Sequence, residues 1–119
     1  MPSLLLVMLG GAFGSGARFL IGRLVLAPWG TLTVNLVGGL LMGLLVGALA
    51  RPDQGGEQWR LLLGVGALGG FTTFSAFSLD TIQMIERGDW GIALGYVAAS
   101  VIGSVAALAI GLNAARAVA

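Results

Sequence analysis

Four apolar stretches separated by short polar turns decide what this chain can fold into. They run from about Leu4 to Ile21, Thr31 to Leu49, Leu61 to Ile85 and Gly91 to Ala115. A bilayer core of about 30 Å is crossed by roughly 20 helical residues, so each stretch is long enough, or nearly so, to span it. Hydrophobic residues make up 57% of the 119 residues and charged residues 9%, whereas soluble domains carry about 25% charge. The 21 glycines suit membrane helices, which use small residues to approach one another, better than water-exposed helices, where each costs about 1 kcal/mol. The expectation is an all-α, multi-pass membrane protein: a single four-helix transmembrane domain over residues 1–119.

The connections are short. Ala27 to Gly30 reads as a turn, Arg51 to Glu57 as a polar loop, and Glu86 to Trp90 as a tight charged turn, with Trp29, Trp59 and Trp90 at headgroup depth. No Lys or Arg precedes the first stretch, so it reads as a retained span rather than a secretory signal. The chain has no Cys and no His, which removes disulfides, thiolate nucleophiles, Ser-His catalysis and imidazole-bound metals. All six basic residues are Arg, against five acids, for a net charge of +1. No polybasic patch offers itself to nucleic acid, and an enzyme is not expected.

Arg51, Arg60 and Arg116 fall on one membrane face and Arg18, Arg23 and Arg87 on the other. Orientation follows the Arg and Lys bias of the loops, and here there is none. Such a chain can insert both ways round, and pairing of opposed copies recreates the inverted symmetry that larger transporters obtain by duplication. Gly10 and Gly14, Gly39, Gly43 and Gly47, and Gly66 and Gly70 recur every four residues. They form flat stripes for close helix contact, and association between copies is one use for them.

Polar groups in hydrocarbon are costly, and their positions carry the functional signal. Asn35 lies one turn after Thr31 on the same face of the second span. Tyr96, Ser100 and Ser104 recur at i, i+4 and i+8, placing three hydroxyls along one stripe of the fourth span. The third span contains Gly69-Gly70-Phe71-Thr72-Thr73-Phe74-Ser75-Ala76-Phe77-Ser78. Paired Gly followed by β-branched Thr should weaken that helix at its midpoint, and backbone freed at membrane depth must be buried in protein or line a cavity. Carbonyls released there can coordinate a cation. Phe74 and Phe77 share nearly one face beside Ser75 and Ser78. Arg18 lies near the far end of the first span, where it either snorkels to the interface or sets a positive potential at an aqueous mouth. Asp80 and Glu86 lie toward the end of the third span, and no carboxylate stands in the middle of any span.

Three segments together resemble the Fluc/CrcB family of fluoride channels: Gly10-Gly11-Ala12-Phe13-Gly14-Ser15-Gly16-Ala17-Arg18-Phe19, Gly30-Thr31-Leu32-Thr33-Val34-Asn35-Leu36-Val37-Gly38, and Gly66 to Ser78. The resemblance spans essentially the whole chain, with these segments in order, and the third is the most specific. The resemblance implies an antiparallel, dual-topology homodimer in a microbial cell membrane, such as the bacterial inner membrane. It also implies two pores that export toxic fluoride and a sodium ion at the dimer centre. By the same resemblance, Phe74 and Phe77 present ring edges to the pore, joined by Asn35, Thr31, Ser75, Tyr96, Ser100 and Ser104. Arg18 is the vestibule arginine, and the backbone carbonyls of Gly69 and Thr72 hold the sodium. Ala76 and Asp80 depart from the family, which usually has Thr and Glu there; the first removes a pore-side hydroxyl and the second shortens the acidic arm.

The implied chemistry suits the residues. A fluoride pore must replace a tight hydration shell with donors that hold the ion without trapping it, and hydroxyls, an amide and positive aromatic edges do so. Two other readings compete: a small dual-topology, proton-coupled exporter of hydrophobic cations, which needs a membrane-embedded carboxylate, and a noncatalytic assembly subunit of a larger membrane complex.

Overall fold

The computed structural model describes residues 2–50 and 56–118. The polar loop expected at 51–57, with Arg51, lies mostly outside them. All regular structure among the described residues is helical. The first span is α1 (Ser3–Leu24) and the second α2 (Trp29–Ala48). The third covers residues 56–86 and the fourth is α6 (Trp90–Val118). Each of the four is long and apolar enough to cross a membrane, and most of their large side chains, among them Phe13, Phe19, Leu24, Ile102, Val105 and Ile110, point outward. This is the surface of a multi-pass membrane protein, since lipid solvates such side chains as well as a protein core does.

The third span is not one regular helix. It begins as α3 (Gly56–Trp59), widens to π-helical winding over Arg60–Leu68, and returns to α-helix in α4 (Gly69–Phe71). Thr72 (φ −88°, ψ 158°) and Thr73 (φ −152°, ψ 121°) are then extended, and α5 (Phe74–Glu86) follows. The sequence points to Gly69-Gly70 and the threonines that follow as the weak place; within it the glycines stay helical and the two threonines leave the helix. The reason is local: Thr73 Oγ1 accepts the Ala76 N–H at 3.1 Å and so serves as the N-cap of α5, a role that suits Thr and that Gly fills without a side-chain acceptor. The far end of α5 closes on Gly88, whose φ of 84° lets the Asp89 N–H reach back to Met84 O at 2.8 Å.

The glycine stripes are consumed inside the chain. A methyl group on Gly14 would strike Ala67 O and Phe71 N, and one on Gly10 would strike Leu62 O. On the other side, Gly39 lies against Ser104 O, Gly43 against Leu108 O and Leu112 N, and Gly47 against Ala115. Contact positions rise together in both pairs, so the first and third spans run parallel, as do the second and fourth, the arrangement that alternating crossings require. The stripes therefore account for packing between the spans of one copy and carry no argument for association between copies. Between these pairs, Phe77, Met84, Ala93 and Tyr96 form a small core, with Leu32, Ile85 and Val97 against it.

Candidate functional site

The extended Thr72–Thr73 segment organises the polar interior. In an unbroken α-helix the Thr73 N–H would bond to Gly69 O and the Ala76 N–H to Thr72 O. Here the Thr73 N–H donates to Asn35 Oδ1 at 2.9 Å, and the Ala76 N–H goes to Thr73 Oγ1. Asn35 Nδ2 also donates to Thr73 O at 3.1 Å, so one amide grips both polar groups of a single residue. From the first span, Arg18 Nε donates to Gly70 O at 3.0 Å. Arg18 thus reaches across to the third span instead of only snorkelling outward.

Two spaces flank this segment, and Thr73 is the residue common to both linings. The larger, about 470 Å³, is a groove bounded by Asn35, Thr72, Thr73, Phe74, Phe77, Ser100 and Ser104, with Met42, Val101, Val105 and Leu108 as apolar wall. The smaller, about 300 Å³, is lined by Arg18, Arg23, Thr31, Thr73 and Ala76. It has two guanidinium groups in its walls and no carboxylate.

Within the groove, the Phe74 and Phe77 rings lie 5.3 Å apart at 52°. Phe77 is 8% exposed and Phe74 75%, so the first is anchored in the chain and the second projects from it. Ser100 is 6% exposed, and its hydroxyl has no hydrogen-bond partner among the described residues. A buried hydroxyl without a partner costs about 1–3 kcal/mol, which makes it a natural point for a ligand to be held. Ser104 continues the same wall one turn on.

Other residues expected from the sequence are placed elsewhere. Tyr96 turns away from the two serines: its ring packs 5.4 Å from Phe77 and edge-on to Trp29, and its hydroxyl bonds to Asp80. Thr31 and Arg18 line the smaller space. Ser75 Oγ sits 3.3 Å from Thr73 Oγ1 on an exposed face, and Gly69 lines neither space. Sequence reasoning does not single out Thr73, although a Thr immediately before the first turn of a helix carries the N-cap signal. Nor does it find the burial of Asp80, whose partner stands on another helix.

Four membrane spans, the third with two extended residues, and a groove lined by neutral donors define a small multi-pass membrane protein. The sequence profile of the family described as "CrcB-like protein, Camphor Resistance (CrcB)" matches residues 5–112. A Caulobacter sp. (strain K31) protein is 56% identical over 98% of this chain and 96% of its own length. One from Sphingopyxis alaskensis is 53% identical over 94% of each, and one from Agrobacterium fabrum 48% identical over 98% of each. All three are named "Fluoride-specific ion channel FluC". The chain belongs to the CrcB family.

Proposed function

We propose that this protein is a fluoride-selective channel that exports cytoplasmic fluoride across the bacterial inner membrane and so lowers its toxicity. Relatives of about half identity over nearly the whole chain bear that name. The observation that carries the reading is the unpartnered Ser100 hydroxyl, buried in a groove it shares with Asn35, Ser104 and the Phe74–Phe77 pair. Those groups offer an anion hydroxyl and amide donors and ring edges, with no fixed charge in the groove wall to hold it too tightly.

The working unit in this reading is a homodimer of two antiparallel copies, inserted in both orientations, with two pores. The even Arg distribution supports it, as does the exposure of Phe74, which leaves one wall of the groove for a second copy to complete. Between the copies we place a sodium ion on the carbonyls of Gly69 and Thr72, with the third span functionally broken at its centre. The donor set fits: the helical N–H partners of both carbonyls are engaged elsewhere, by Asn35 and by Thr73. Uncharged oxygens suit a hard monovalent ion.

The test is efflux from liposomes loaded with potassium fluoride, started by a potassium ionophore and read with a fluoride electrode. Rapid fluoride release, with chloride retained in parallel vesicles, is expected. Vesicles that hold their fluoride would overturn the assignment, and proton-coupled uptake of a hydrophobic cation would replace it with an exporter.

A further inference from the structure

Among the described residues, Asn35 is the groove-lining side chain that bonds to the backbone of the third span from another span. The N–H it accepts, that of Thr73, is the donor an intact helix sends to Gly69 O. An N–H seated on a carbonyl oxygen brings its positive hydrogen to about 2 Å, where it opposes a cation on the same oxygen. Arg18 acts on the next carbonyl in the opposite sense, since its Nε donates to Gly70 O. One carbonyl of the segment is kept open and its neighbour is closed.

Resting on the channel and sodium reading above, we propose that Asn35 is a positioning residue for the cation site. Its Oδ1 holds the Thr73 N–H away from Gly69 O, so that Gly69 and Thr72 present a matched pair of carbonyls. The anion groove and the cation site then share one amide. Removing that amide should disable both, whereas replacing it with an acceptor alone should repair only the cation site.

Subunit exchange separates the two. Protein labelled with donor and acceptor fluorophores is mixed in sodium chloride or in N-methylglucamine chloride, and energy transfer is followed with time. A ligand present at ten times its Kd or more weights the bound state roughly tenfold, so wild-type exchange should be about tenfold slower in sodium. Asn35→Ala should exchange at the same rate in both salts. Asn35→Ser, whose hydroxyl is too short to reach Thr73, carries the same expectation and serves if the alanine variant does not fold.

Asn35→Asp keeps an oxygen for the Thr73 N–H, so the sodium dependence should return. Its fluoride efflux should stay below wild type, because a carboxylate opposes an anion in the groove. Sodium dependence of wild-type size in Asn35→Ala or Asn35→Ser, or its absence in Asn35→Asp, would overturn the inference alone. Wild-type protein that conducts fluoride yet ignores sodium in exchange would remove the cation reading and this inference with it. Wild-type protein that conducts no fluoride would remove the channel assignment itself.

Discussion

The Tyr96 hydroxyl donates to Asp80 Oδ2 across 3.1 Å, tying the fourth span to the second half of the third, with both residues buried. Removing one partner of a buried polar pair leaves the other unsatisfied, at about 1–3 kcal/mol. Tyr96→Phe keeps the ring that packs on Phe77 and deletes only the donor. It should lower the thermal midpoint of the purified protein by several degrees, on the order of 4 °C or more. A midpoint equal to wild type would mean the bond contributes nothing.

Phe74 and Phe77 should part company in stability while agreeing in transport. Phe77 lies in the core and Phe74 is largely exposed in the single chain. Phe77→Ile should therefore cost about 1 kcal/mol or more in thermal unfolding, and Phe74→Ile should cost far less. Both lose the polarised ring edge, so fluoride flux should fall in each. Unchanged flux in both variants would reduce the pair to packing.

Gly43 rests against the backbone of the fourth span, at Leu108 O and Leu112 N. Backbone cannot swing aside as a side chain does, so Gly43→Ala should force the second and fourth spans apart and cost about 1–3 kcal/mol. Gly91, where an added methyl group would meet no atom within 4 Å, should accept Ala without loss. Thermal midpoints of the two variants, measured side by side, decide the matter. Equal effects would show that close approach is not what selects glycine at position 43.

Dual insertion can be read from the ends of the chain, since the protein has no native Cys. Single cysteines at Ser3 and at Ala117 should each react in part with an impermeant thiol reagent on intact cells, and the remainder only after permeabilisation. Labelling of either position wholly from one side would rule out insertion in both orientations.

The spans could be read from sequence because an apolar run of this length has few other fates. The interruption was only partly legible. Propensity marks the Gly pair and the Thr pair after it together, without dividing their roles: a methyl group on Gly70 would meet Gly11 O, so this glycine serves the approach of the first span while the capping hydroxyl of Thr73 sets the extended residues. On the fourth span the structure puts Ser100 and Ser104 on the groove and the Tyr96 hydroxyl on Asp80. Eight residues at 100° each miss two full turns by about 80°, enough for Tyr96 to face Asp80 while Ser104 faces the groove. The contacts of Asn35 with Thr73 and of Arg18 with Gly70 span 38 and 52 residues, and no local periodicity encodes them.

The interrupted third span also bears on how the chain is made. A peptide group without a partner in hydrocarbon costs several kcal/mol, so this segment is a poor candidate to enter lipid alone. The side chains that satisfy it, Arg18 and Asn35, belong to the first and second spans, which leave the ribosome earlier. Synthesis from the N-terminus thus delivers the partners first, and the awkward span can be released from the insertion machinery directly onto helices already waiting for it.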